Sequence, residues 1–110
     1  MKQKTEAKIQ QEIVRWYRGN FYGKGLIFSV PNERAGGYLA MKGPLLTGLL
    51  SGVSDLIVVE KTRVLFVEVK TAIGRQSDKQ KKFEENVKNL GYKYYLVRSL
   101  EDFKKIITFN

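Results

Sequence analysis

Two short apolar, β-branched runs, Leu56-Ile57-Val58-Val59 and Val64-Leu65-Phe66-Val67, are separated only by Glu60-Lys61-Thr62-Arg63, and no other stretch constrains the fold as strongly. Runs of this length joined by a polar turn form a β-hairpin. In an antiparallel pair the start of one strand lies beside the end of the next. Asp55, which opens the first run, and Glu68, which follows the second, are therefore expected at one end of the sheet. Side chains two apart on a strand share a face, which sets Lys70 beside Glu68.

The elements around the hairpin read helix, strand, loop, strand, strand, helix, strand, helix. The first helix is expected over about residues 4 to 18, ending near Gly19. Leu26–Val30 reads as a strand stopped by Pro31-Asn32. The glycine-rich segment from Pro31 to Gly52 has no sustained period and reads as a long loop. Its apolar patch Leu45-Leu46-Thr47-Gly48-Leu49-Leu50 suits core packing better than a dimer contact or a wedge against distorted DNA. Ser77-x-x-Gln80 is a capping box opening a helix through Phe83, Val87 and Leu90, with Gly91 as its stop. Tyr92–Val97 then forms a strand, and Ser99 caps a closing helix. The step from Glu68 through that helix to Tyr92 is a crossover, so these strands should be parallel. The expected fold is α/β, one domain over residues 1–110, with a small mixed sheet flanked by helices.

Composition removes several chemistries. The chain has no cysteine and no histidine, which excludes disulfides, thiolate or imidazole metal sites and Ser-His-Asp hydrolysis. Any metal must be held by oxygen, which favours Mg²⁺ or Mn²⁺ over Zn²⁺. No apolar segment approaches a membrane span and no signal-peptide pattern is visible, so a cytoplasmic location without membrane partners is expected. The formal charge of +9 calls for an anionic partner, most simply nucleic acid. Its sources cluster at Lys2, Lys4 and Lys8, at Arg15 and Arg18, and around the second helix at Arg75, Lys79, Lys81, Lys82 and Lys88. Arg34, Tyr38 and Lys42 can meet a phosphate backbone from the long loop.

Two carboxylates held together repel, and a bound hard cation relieves them. Such an ion leaves positions for a phosphate oxygen and a water, so Asp55, Glu68 and Lys70 supply what metal-dependent phosphodiester cleavage needs. Lys70 can orient or deprotonate the water, or neutralise charge on the phosphate; an exposed lysine stays protonated near neutral pH, so a base role requires burial. The plainer reading makes Asp55 a turn residue and Glu68 and Lys70 a surface ion pair. Glu6 adds weight to the first. At about 100° per residue it lies at the centre of the stripe formed by Ile9, Gln10, Ile13, Val14, Trp16 and Tyr17, where a carboxylate needs a partner, a cap or a metal. Glu12 falls on the edge of that stripe. Gln80 also lies on an inward stripe, and serves either as a cap alone or also as a residue that orients water or contacts phosphate.

Taken in order, Gly52-Val53-Ser54-Asp55 and Phe66-Val67-Glu68-Val69-Lys70 resemble the G-x-x-D … (F/V)-E-V-K signature of the PD-(D/E)xK nucleases, and the VRR-NUC branch in particular. That branch also carries a helix glutamate in an E-x-x-I-Q setting and a glutamine in an S-x-x-Q-x-x-F setting. Here these are Glu6-Ala7-Lys8-Ile9-Gln10 and Ser77-Asp78-Lys79-Gln80-Lys81-Lys82-Phe83. The resemblance runs from about Glu6 to the C-terminus and implies a restriction-endonuclease-like core. It implies Mg²⁺- or Mn²⁺-dependent DNA cleavage by Glu6, Asp55, Glu68, Lys70 and Gln80. The metal ligands would be Asp55, Glu68, Glu6 and the Val69 carbonyl. Stand-alone, virus-type members of this size are similar to structure-specific homodimers that cut Holliday-type junctions, which implies branched DNA as substrate and fits a virus-encoded protein. The expected DNA contacts are Lys8, Arg15, Arg34, Lys42, Arg75, Lys79 and Lys82. The competing expectations are a basic nucleic-acid-binding module without cleavage, and a nuclease for flaps, single strands or RNA.

Overall fold

Thr5 opens the first helix by accepting the Lys8 N–H at 3.1 Å, an N-cap that sets α1 over Glu6–Asn20. The helix passes the expected stop at Gly19. The Asn20 amide donates to the Trp16 carbonyl at 2.8 Å and the Phe21 N–H to that of Tyr17 at 2.8 Å, so the last turn is satisfied locally. The remaining elements of the computed structural model, which describes residues 3–31, 48 and 50–109, are β1 (Gly25–Ser29), β2 (Leu56–Glu60), β3 (Val64–Val69), α2 (Asp78–Asn89), β4 (Lys93–Val97) and α3 (Leu100–Thr108). Most of the long-loop segment, with Arg34, Tyr38, Lys42 and the leucines at 45, 46 and 49, lies outside the described residues.

The strands form one mixed sheet in the order β1-β2-β3-β4. The hairpin register pairs Leu56 with Val67 and Val59 with Val64. β1 runs antiparallel to β2, and β4 runs parallel to β3, as a crossover through α2 requires. Alternation assigns the two faces. Leu56, Val58, Leu65, Val67, Val69 and Val97 point to one side, where α1 contributes Ile9, Ile13 and Tyr17 and α3 contributes Phe103 and Ile107; this is the hydrophobic core. On the other side Phe66 and Tyr94 meet Phe83 of α2 edge to face, at centroid distances of 5.8 and 6.1 Å.

The two ends of the sheet differ. At one end the Arg63 guanidinium, in the hairpin turn, pairs with Glu60 at 2.7 Å and donates to the Ile107 carbonyl at 2.9 Å, so it closes the C-terminus of α3. The Tyr17 hydroxyl donates to the other Glu60 oxygen at 2.6 Å and joins α1 to the same cluster. Burial, together with this bond to a carboxylate, holds the Tyr17 phenol well above its ordinary pKa. The hydroxyl fits because β1 begins with Gly25: a Cβ there would overlap it. The opposite end, where Val30 N–H donates to the Asp55 carbonyl and Lys70 N–H to that of Val97, both at 3.0 Å, carries the candidate site.

Candidate active site

The hairpin register brings Asp55 and Glu68 side by side, because they flank the Leu56–Val67 pair. Asp55 Oδ2 accepts the Val69 N–H at 2.7 Å, which ties the start of β2 to the end of β3. Glu68 is fully buried, and Lys70 is 8% exposed, so neither belongs to a solvated surface pair. Their charged ends stand 3.4 Å apart, Lys70 Nζ facing Glu68 Oε2. Among the described residues that oxygen has this ion pair and no hydrogen bond. A buried carboxylate oxygen whose only partner is one ammonium at that distance keeps acceptor capacity that a hard cation could use.

Asp55 feels the same deficit. Burial raises its pKa above the ordinary aspartate range, the Val69 N–H opposes the rise, and the charges of Glu6 and Glu68 add to it, with Lys70 opposing. Glu6, on the first turn of α1, is therefore near enough to act on Asp55 through its field. It does not complete a cage: among the described residues no three Asp or Glu side chains gather into a group that could hold a metal. Asp55 and Glu68 fit a hard divalent cation as an all-oxygen pair with an orphaned buried acceptor, and the cation would take its other ligands from backbone carbonyls or water. The Val69 side chain is buried and its N–H is the donor to Asp55.

Gln80 caps its helix. Ser77 Oγ accepts the Gln80 N–H at 3.1 Å and the Gln80 amide oxygen accepts the Ser77 N–H at 2.8 Å, the full reciprocal capping box. The amide that reaches Glu68 is Gln76, whose Nε2 donates to Glu68 Oε1 and Glu84 Oε1, each at 2.9 Å. The Tyr94 hydroxyl also donates to Glu68 Oε1. Sequence reasoning missed both: Gln76 carries no pattern of its own, and Tyr94 reads as one tyrosine among several in a strand. Only the parallel register, which sets Phe66 opposite Tyr94 and Glu68 opposite Leu96, puts that hydroxyl within reach. Arg98 was missed for the same reason. From the end of β4 it donates to the carbonyls of Thr71 and Gly74, at 2.6 and 2.8 Å, and braces the turn between Lys70 and Gln76.

Gly52 explains why this loop ends as it does. Its φ is +80°, and a Cβ there would sit 2.6 Å from the Lys79 carbonyl carbon and 3.0 Å from the Gln80 nitrogen, in the first turn of α2. The chain entering β2 thus presses on the helix that carries the capping box. Gly52→Ala is expected to cost at least about 2 kcal/mol, from the left-handed backbone plus the clash. Urea denaturation measures it, and an unchanged midpoint would mean that the contact is slack.

Several basic residues border two clefts that share Arg98 in their linings. One, of about 530 Å³ between α1 and the start of α3, is bordered by Lys4, Lys8, Arg15, Trp16 and Arg98. The other, of about 600 Å³ beside Gln76, is bordered by Arg75, Lys81 and Arg98. Lys4 pairs with Glu12 at 2.9 Å, and Lys82 with Glu85 at 3.2 Å on an exposed face of α2. Lys79 lies in the first turn of α2, against Gly52. Arg34 and Lys42 lie outside the described residues.

Three comparisons bear on this arrangement. The VRR-NUC domain family matches residues 4–101. A solved structure titled "VRR_NUC domain protein" superposes with a TM-score of 0.78 at 19% identity, covering 96% of this chain and 87% of that one. A second, titled "VRR_NUC domain", gives a TM-score of 0.63 at 21% identity over 94% of this chain and 96% of that one. At these identities the two structures speak for the fold alone. Among curated proteins no match is found.

Proposed function

The chain belongs to the VRR-NUC family, which implies a nuclease of the PD-(D/E)xK type acting on nucleic acid, and on that premise we propose that it is a divalent-metal-dependent endonuclease for branched DNA. The observation that carries the reading is the pairing of Asp55 with Glu68 at one end of the hairpin, where the buried Glu68 Oε2 accepts no hydrogen bond among the described residues. Mg²⁺ or Mn²⁺ at that pair supplies a Lewis acid for the phosphate and lowers the pKa of a bound water. Asp55 and Glu68 would hold the ion. Lys70, buried against Glu68, would offer its ammonium to a phosphate oxygen or to the attacking water. Glu6 adds negative field beside Asp55, which strengthens the demand for a cation.

The two clefts supply the phosphate contacts. Lys8 and Arg15 border one and Arg75 the other, with Arg98 between them at the turn after Lys70. A strand that enters this end of the sheet by way of Arg98 would meet the cations of both clefts. Lys79 and Lys82 extend the same charge along α2, and Arg34 and Lys42 belong to the proposed contacts on sequence grounds. No base-reading element stands among the described residues, so DNA shape is the discriminating feature. Paired incision of a four-way junction needs two active sites, so the reading carries a homodimer. A monomeric mass that persists with junction DNA bound would remove that part.

The test is cleavage of labelled four-way-junction, flap, single-stranded, linear duplex and RNA substrates with Mg²⁺, Mn²⁺ or EDTA. Incision of the junction is expected with either metal, none in EDTA, and none by Glu68→Gln. Binding should weaken steeply with salt, and Lys8→Ala with Arg15→Ala should flatten that dependence by about one unit of slope per lost phosphate contact. Incision confined to flaps, single strands or RNA would replace the substrate class. Salt-sensitive binding with no incision would make the chain a binding module.

A further inference from the structure

Glu68 is held asymmetrically, and the asymmetry is built rather than incidental. Among the described residues the two hydrogen-bond donors to it, the Tyr94 hydroxyl and the Gln76 amide, go to Oε1, while Oε2 accepts no hydrogen bond and faces Lys70 Nζ at 3.4 Å. Each donor is itself fixed. The Tyr94 ring is buried against Phe83 of α2, and Gln76 gives its second N–H to Glu84, which Lys88 pairs at 2.6 Å from one helical turn away. Burial pushes the Glu84 carboxyl up, but the bonds from Lys88 and Gln76 and the Lys88 charge together hold it below its ordinary range, so it stays a charged acceptor for Gln76. Arg98 secures the turn that delivers Gln76.

A carboxylate with both oxygens free rotates, and a ligand must then select one orientation of several. Saturating one oxygen removes that freedom and leaves the other as the single coordinating atom, as outer-shell partners do for metal-binding side chains. We infer that Gln76 and Tyr94 are positioning residues that fix Glu68 with Oε1 saturated and Oε2 presented to a divalent cation. Their effect is on the affinity for the ion, transmitted through Glu68. This rests on the metal reading proposed above.

The experiment is Mn²⁺ binding to the full chain without DNA, followed by electron paramagnetic resonance, with melting curves alongside. Wild type should bind Mn²⁺, and Glu68→Gln should lose most of that binding. Tyr94→Phe, which keeps the ring against Phe83, should weaken binding about 10- to 100-fold with a folded melting curve. In a Glu68→Gln background the same substitution should add nothing, because its only route to the ion is gone. Gln76→Leu makes the same test without altering the packing of the Tyr94 ring, should Tyr94→Phe melt early. Wild-type affinity in both variants, or an effect that persists undiminished without Glu68, would overturn the inference. Mn²⁺ binding unaffected by Glu68→Gln, or absent from wild type, would instead overturn the metal reading on which it stands.

Discussion

Asp55→Asn is expected to lower metal-dependent cleavage by at least about a hundredfold and, in the same molecule, to raise the melting temperature of the metal-free protein. The first effect follows if Asp55 is a metal ligand, as proposed, since replacing a mere supporting residue of a metal site already costs up to about a hundredfold. The second follows from the electrostatics. Asp55 is raised above the ordinary aspartate range by burial and by the fields of Glu6 and Glu68, so its ionised form is disfavoured in the folded state. Asparagine keeps the shape and an oxygen for the Val69 N–H, and removes the charge. The melting temperature is expected to rise by a few degrees, the usual reach of a single stabilising substitution in a domain of this size. The pH dependence fixes the sign. A group whose folded pKa is raised binds its proton more tightly when folded, so its stabilising contribution is complete below the unfolded value. That contribution disappears as pH rises through the folded value. Wild type and Asp55→Asn should therefore melt together at low pH. They should separate, with wild type the less stable, as pH climbs from the ordinary aspartate value of 3.8 through the raised one. Adding Mg²⁺ should close the gap by stabilising wild type alone. Parallel melting curves at every pH would show that Asp55 bears no such repulsion, and retained cleavage would remove it from the site.

The second large effect is expected from Phe103→Ala. Phe103 is fully buried on α3, with its ring edge-on to Trp16 at 6.0 Å and to Tyr17 at 6.1 Å. Truncating a buried phenylalanine costs about 3–5 kcal/mol, a large share of the ~5–15 kcal/mol that a small domain has in total. The residue lies beyond position 101, where the family match ends, yet it joins α1 to the last helix. Urea titration followed by circular dichroism should show the midpoint fall by a large fraction, with cleavage lost in proportion to the unfolded population. A change under about 1 kcal/mol would mean that α3 is an appendage rather than part of the core.

The features legible in the sequence are local or periodic. The hairpin, the adjacency of Asp55 and Glu68, and the capping box of Ser77 and Gln80 each follow from a spacing rule acting over a few residues. The parallel pairing of β3 with β4 follows from handedness. The partners of Glu68 are illegible there because they come from separate elements. Tyr94 reaches it across the crossover, and Gln76 comes from a turn whose course is set by Arg98, itself beyond β4. Arg63 is illegible likewise: it reads as a turn residue, and its role as the cap of α3 emerges only when distant parts of the chain are brought together. Gln80 shows the converse. Its pattern supports two roles, and the local one already occupies its amide oxygen.

The Arg63 cluster also divides the molecule into a fastened frame and a replaceable margin. At its end the chain reverses through the short links 21–24, 61–63 and 90–92, and tyrosine, glutamate, arginine and the last carbonyls of α3 are tied together. The two long excursions, 30–55 and 70–77, both leave from and return to the carboxylate end. In the longer excursion, chain ahead of Gly52 can be lengthened, shortened or exchanged without loosening a single bond of the fastened pole. A fold arranged in this way can change which nucleic-acid shape it accepts while its scaffold is inherited intact.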